Sequence, residues 1–151
     1  ICHHCKGPTY MDAEGKTMPG ALAGKLVPDV PGTVASLYEE ARRCVGVGAY
    51  TGAALCFRKL LMNIAVEEGA QPGLRFVEYV DFFESNSLVN TGNSGWIALM
   101  RDTGNDATHE IVGIKKAEAE DLMDFVELLL RIHYEYPARL KRKEDAKKLD
   151  G

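Results

Sequence analysis

The chain has 151 residues, of which 46% are hydrophobic and 26% are charged, and its formal net charge is −4. This composition is typical of one ordinary folded domain and excludes general disorder. Its apolar runs stay short of the ~18 residues that a membrane span needs, and its negative charge argues against a generic binder of nucleic acid or anionic membranes. The four cysteines are too few for a disulfide scaffold, so we expect a reducing, cytoplasmic location.

Glycine and proline interrupt residues 1–30 at short intervals. Such dense interruption rules out a long helix, so the sequence predicts a small loop-and-strand appendage in this region. The chain opens at Ile1 rather than at a start Met, and we expect further sequence upstream of it.

Cys2 and Cys5 form a Cys-x-x-Cys pair in this appendage, with His3 and His4 between them. Two thiolates at this spacing are half of a typical structural zinc knuckle, because a tight turn lets both sulfurs reach one tetrahedral ion. The other ligands would lie upstream of Ile1 or include one of the two histidines. A metal-free remnant and a redox dithiol are the alternatives, and we expect no organic cofactor.

From Pro31 onward, apolar residues recur at three- and four-residue steps, which predicts amphipathic helices. We expect one helix from about Pro31 to Gly46, a second over about 49–68 packed antiparallel to it, a third over about 74–85 and a short one from about Ser94. The apolar stripes of the first two are Val34, Leu37, Tyr38, Ala41, Cys44 and Val45, and Ala53, Phe57, Leu60, Leu61, Ile64 and Ala65. The longest helix is expected over 115–136, with a core stripe of Leu122, Phe125, Val126, Leu129, Ile132 and Tyr136. His133 is expected at the surface or at the edge of the core, near the negative end of this helix.

The last fifteen residues, 137–151, carry a net charge of +3. We interpret them as a solvated, charged helical tail rather than as a phosphate-binding arm. The sequence therefore predicts an all-α bundle of about four to five helices. Its predicted parts are the appendage over 1–30, the helical domain over 31–136 and the tail over 137–151.

The stretch from Arg101 to His109 contains the candidate chemistry. Asn105 lies four residues from each of them, so on a helix the three side chains share roughly one face. A cation, an amide and an imidazole together suit a phosphodiester, because the arginine would bind phosphate, the histidine would transfer protons near neutral pH and Asn105 would orient the ring or the sugar. The alternative is that Asn105 and His109 cap helix ends and hold a loop to the core.

Several segments together resemble one known family. They are the Cys-x-x-Cys pair, residues 38–44, residues 53–61 and, as the most specific part, the string Arg101-Asp102-Thr103-Gly104-Asn105-Asp106-Ala107-Thr108-His109. Their order resembles the bacterial family catalogued as domain of unknown function 4145, over most of the chain from Cys2 to about Tyr136. Members of that family occur alone or attached to restriction-type and other defence proteins.

That family is similar in turn to the HEPN group of helical bundles, many of which are metal-independent endoribonucleases that act as dimers. The resemblance implies a HEPN-like fold and a homodimer in which Arg101 and His109 of each subunit meet at the interface, with Asp102 as the polar residue after the arginine. Seven residues separate Arg101 from His109, more than in the usual motif. On a regular helix this spacing puts the two side chains about 80° apart.

Two functions follow from this sequence. We expect a non-catalytic dimerising or binding module, whose partner is a protein or RNA. The alternative is a metal-independent endoribonuclease, in which Arg101 stabilises the developing charge on the phosphate, His109 acts as acid or base, and the 2′-hydroxyl of the RNA attacks. The first hypothesis predicts that His109→Ala lowers stability, and the second predicts that it abolishes cleavage.

Overall fold

The computed structural model describes residues 1, 8–15, 17–18, 21–86 and 113–149. Its first regular element is a hairpin of two short strands, β1 (Tyr10–Met11) and β2 (Thr17–Met18), paired antiparallel with Tyr10 opposite Met18. Gly15 lies between them with a φ of +80°, a conformation that glycine adopts without steric cost. These strands agree with the loop-and-strand character predicted for this region.

Two helices, α1 (Gly32–Gly46) and α2 (Tyr50–Glu67), form the first pair of the bundle. α1 begins directly after Pro31, whose fixed φ suits a helix start, and the short connection after Gly46 returns α2 along α1. The inward faces contain residues that the spacing predicted: Val34, Tyr38, Ala41 and Val45 on α1, and Ala53, Phe57, Leu60, Leu61, Ile64 and Ala65 on α2.

The helices α3 (Phe76–Ser85) and α4 (Lys116–Leu130) both pack against α2. Each has a glutamate in its first turn whose carboxylate accepts a backbone N–H from the residue before the helix, at 2.8 Å for Glu78 and 2.9 Å for Glu118. A negative charge also suits the positive end of the helix dipole. α3 buries Phe76, Tyr79, Val80 and Phe83, and α4 buries Ala119, Leu122, Met123, Phe125, Val126, Leu129 and Leu130.

The predicted all-α class is therefore confirmed. The short helix predicted from Ser94 lies outside the described residues.

After α4 the helical path continues without a break. We call α4, the turn that follows it and the last helix together the rod, residues 116–149. Residues Arg131–Glu135 form a π turn, in which the N–H of Tyr136 donates to the carbonyl of Arg131 five residues back, and α5 (Tyr136–Leu149) follows directly. The rod passes through Pro137 without a break, although a proline inside an α-helix removes a hydrogen bond and clashes with the carbonyl four residues back. The wider π turn directly before Pro137 accommodates the ring.

The π turn also corrects the predicted core. Ile132 and Tyr136 were expected on the buried stripe, but they are 43% and 49% exposed. That prediction assumed a regular α-helix throughout. The π turn holds about one extra residue, which rotates the following side chains by about 100° relative to α4. Tyr136, which follows the π turn, therefore faces outward. Ile132 follows the exposed Leu128 by four residues, so it faces outward even with the regular period.

Candidate functional site

The residues that the sequence singled out for chemistry lie outside the described residues. They are Arg101, Asp102, Asn105 and His109 of the candidate phosphodiester site, and Cys2 and Cys5 of the candidate zinc knuckle. Their roles stay predictions. Within the part of the chain that the structure describes, no three His, Cys, Asp or Glu side chains are grouped so as to hold a metal ion. The most connected polar side chains of that part lie at the π turn and beside α4.

His133 is held between two carboxylates at the end of α2. Its Nδ1 lies 2.5 Å from Glu68 Oε1, and its Nε2 lies 3.0 Å from Glu67 Oε2. Both ring nitrogens face carboxylate oxygens, so the ring bridges the two glutamates. The side chain is 18% exposed, which fits the edge of the core, one of the two positions expected for it. His133 follows the buried Leu129 by four residues, so the ring stays on the face that packs against α2.

Glu67 receives further hydrogen bonds in this cluster. The Tyr134 hydroxyl donates to Oε2 at 2.6 Å, and the Asn63 amide donates to Oε1 at 2.8 Å. Burial alone would raise the pKa of Glu67, but the hydrogen bonds from Tyr134, His133 and Asn63 outweigh burial and lower it. Since both imidazole nitrogens contact α2, the cluster acts as a clamp that joins the rod to α2.

A ladder of alternating charges runs along the rod. Arg131 donates to Glu127 at 3.0 Å and to Glu135 at 2.5 Å, and Arg139 lies 3.8 Å from Glu135. The side chains of Glu127 and Glu135 are 14% and 9% exposed. Hydrogen bonding to Glu127, and then to Glu135, raises the pKa of Arg131, so this side chain stays charged. Sequence reasoning missed the buried Glu135, although the four-residue repeat of opposite charges was a usable signal.

The chain segment before α1, residues 21–31, is held to this ladder by hydrogen bonds. Glu127 Oε2 accepts the backbone N–H of Lys25 at 3.0 Å, and the Tyr38 hydroxyl donates to the carbonyl of Lys25 at 3.0 Å. Arg42 is buried and donates to the carbonyl of Ala23 at 2.6 Å. Burial above all raises the pKa of Tyr38, so the hydroxyl remains a neutral donor. A buried arginine is thus used to bind backbone oxygen at this position.

An open groove of about 410 Å³ lies between this segment and the rod, lined by Gly24, Lys25, Asp124, Glu127, Leu128 and Arg131. Burial, followed by repulsion from Glu127, Asp121 and Glu120, raises the pKa of Asp124. Lys25, which also lines the groove, partly offsets this repulsion. With Arg131 as the second cation, the lining has two acidic and two basic side chains.

Residues 39–149 match a family model described as Domain of unknown function (DUF4145). No curated protein and no solved structure matched the chain. The matched range contains α2, α3, the whole rod and the candidate string from Arg101 to His109. Of the helices that the structure describes, none combines the length and the apolar character needed to cross a membrane.

Proposed function

We propose that this chain, which belongs to the family described as Domain of unknown function (DUF4145), is a non-catalytic module that dimerises and binds a partner protein or RNA. One observation carries this proposal: all fourteen residues of α5 are described, and none of them is buried. A helix of this length is marginal in water on its own, because most helical stability in proteins comes from packing. We therefore expect α5 to be stabilised by a partner.

The mass of the purified protein, measured by sedimentation velocity over a range of concentrations, tests the dimerising function. Cleavage of a mixed labelled RNA pool in EDTA is measured beside it, with His109→Ala as the comparison. The proposal predicts a dimer, and it predicts no RNA cleavage that depends on His109. A monomer at every concentration would contradict the dimer, and cleavage that His109→Ala abolishes would contradict the non-catalytic role.

The second candidate function is a metal-independent endoribonuclease on a HEPN-like fold. It is favoured by the string from Arg101 to His109, which lies within the range that the family model matches. In this reaction the 2′-hydroxyl of the RNA attacks the adjacent phosphate, and the 5′-oxygen of the next nucleotide leaves. Arg101 would stabilise the charge on the phosphate, and His109 would transfer the proton. A cyclic phosphate would remain on one product.

End-group analysis separates this candidate from the first. An endoribonuclease of this kind leaves cyclic phosphate ends in EDTA, and Arg101→Ala and His109→Ala each abolish them. Asp106→Ala, in the same string but without an assigned role, is the matched control and should retain cleavage. Cleavage that needs an added metal ion, or that all three variants retain, would exclude this function.

For the N-terminal appendage, we propose that Cys2 and Cys5 supply half of a structural zinc site. Thiolates are suitable zinc ligands, and a closed site needs four ligands. The measurement is the zinc content of the purified protein beside Cys2→Ser, with Cys44→Ser, a half-buried thiol of α1, as the control. Zinc that is lost in the first variant and kept in the second supports the site. A protein that contains no zinc would contradict the site and favour the alternative, a metal-free remnant of a zinc knuckle.

The resemblance also supports a cytoplasmic role beside restriction-type and other defence proteins. In that setting the module would join larger proteins by dimerising.

A further inference from the structure

An apolar ridge runs along the outer face of the rod. It consists of Leu128, Ile132, Tyr136 and Leu140, which follow one another at four-residue steps and are 42%, 43%, 49% and 59% exposed. In a regular α-helix each four-residue step overshoots one turn by about 40°, so such a row winds around the helix. A π turn holds more residues per turn and reduces this drift. The ridge therefore stays nearly straight over about 18 Å.

The two ends of the rod carry opposite charges. α4 has five acidic and one basic side chain, a net charge of −4, whereas α5 has two acidic and six basic side chains, a net charge of +4. The charge of the rod therefore inverts from one end to the other.

We propose that the ridge is the interface with a second copy of this chain, and that the two rods pair antiparallel. This inference rests on the proposed dimerising function and specifies its surface. With a two-fold axis beside residue 134, Leu128 meets the partner's Leu140 and Ile132 meets the partner's Tyr136. The four apolar side chains of each copy are then covered by those of the other, which removes apolar surface from water.

The same register pairs opposite charges at both ends. Asp121 and Lys147 are equidistant from residue 134 and lie within about 20° of the ridge, so each aspartate faces the partner's lysine. Asp124 and Glu144 are also equidistant from it, but they lie about 40° to opposite sides of the ridge, so the two carboxylates do not face each other. A parallel pair would instead place two ends of net charge −4 side by side and two of +4 side by side. Antiparallel pairing is therefore the favoured arrangement.

An ion pair on another face of α5 leaves the ridge exposed. Arg142 donates to both carboxylate oxygens of Asp29, at 2.7 Å and 2.9 Å. Arg142 follows Leu140 by two residues, so the two side chains point about 160° apart around the helix. The segment before α1 thus binds α5 from the side away from Leu140, and the ridge stays accessible to a second copy.

Sedimentation velocity of Ile132→Glu tests the surface. A carboxylate in the middle of the apolar contact should weaken dimerisation by at least about tenfold. Leu55→Glu, at a 59% exposed position of α2, is the matched control and should leave the dimer intact. Far-ultraviolet circular dichroism confirms that both variants are folded. A dimer that Ile132→Glu leaves intact would overturn this inference while the dimerising function stands, and a wild-type monomer would contradict both.

Charge reversal tests the antiparallel orientation. Glu120→Lys/Asp121→Lys places like charges at both ends of an antiparallel dimer, and Lys147→Glu/Lys148→Glu does the same. Each double variant alone should dimerise more weakly than the wild type, and an equimolar mixture should restore the dimer, because opposite charges then meet at both ends. In a parallel dimer each variant alone would pair as well as the wild type, since like charges face each other in all three proteins. That result would overturn the proposal.

Discussion

The two halves of the rod, α4 and α5, are almost equal in length but differ in what surrounds them. α4 buries seven of its fifteen residues, whereas none of the fourteen residues of α5, all of which are described, is buried. The difference lies in the apolar residues, which form a wide buried face through α4 but in α5 are reduced to an exposed row that includes Tyr136 and Leu140. A continuous helix can therefore change from a core element to a surface element within one turn. What keeps α5 helical is its continuation from α4, its ion pair with Asp29 and, in our proposal, a second copy.

The largest difference in stability between the two halves is expected from leucine-to-alanine changes. Leu122 is fully buried in α4, and Leu140 is 59% exposed on α5. Leu122→Ala should lower the free energy of unfolding by about 2–5 kcal/mol, because it leaves a cavity. Leu140→Ala should change the unfolding of the monomer by less than about 0.5 kcal/mol. Urea denaturation below the concentration at which the protein dimerises measures both values. Equal losses would contradict the distinction between the halves.

A second comparison uses two arginines of the same ladder. Arg131 is 22% exposed and Arg139 is 57% exposed. Arg131→Ala leaves two poorly exposed carboxylates without their main partner, and we expect a loss of about 1–3 kcal/mol. Arg139→Ala removes a surface ion pair and should cost about 0–1 kcal/mol. The measurement is again urea denaturation at neutral pH. A greater loss for Arg139→Ala would show that α5 contributes more to the monomer than we infer.

The smallest effect is expected at the His133 clamp, and it depends on pH. The native pKa of Glu67 is lowered from its ordinary value of 4.5, so its contribution to stability is complete above that value and is lost as the pH falls through the native pKa. Glu67→Gln should therefore lower the melting temperature near neutral pH. Its difference from the wild type should shrink toward ~pH 3. Asn63→Ala, which removes one weaker donor, serves as the control. A difference that stays constant with pH would contradict this role of Glu67.

The sequence was sufficient to predict most of the fold. Val34, Tyr38, Ala41 and Val45 were identified by spacing alone, and so was the buried face of α2. This prediction succeeds because a regular α-helix has a fixed period, and because its apolar face is the one that packs away from water. Gly46, the last residue of α1, and Gly48, with a φ of +81°, likewise mark the end of this helix, because a glycine accepts backbone conformations that interrupt a helix.

The π turn could not be predicted in the same way. It changes the number of residues per helical turn for one turn, and no residue type in Arg131–Glu135 indicates this change. As a result Tyr136, which follows this turn, was placed in the core. The His133 clamp needs three side chains from segments more than sixty residues apart, and spacing within one helix carries no information about such contacts. The Arg101–His109 and Cys2–Cys5 sites lie outside the described residues and stay predictions.

Cross-linking of the native protein tests most directly whether the exposed half of the rod pairs with a second copy. Within one chain Asp121 and Lys147 are about 39 Å apart along the helix, too far for a zero-length carbodiimide to join them. In the antiparallel dimer the carboxylate of one copy lies next to the lysine of the other. We predict an Asp121–Lys147 cross-link that joins light and heavy chains when unlabelled and ¹⁵N-labelled proteins are mixed. Cross-links confined to single chains, or intermolecular ones that join α5 only to α5, would contradict the proposed interface.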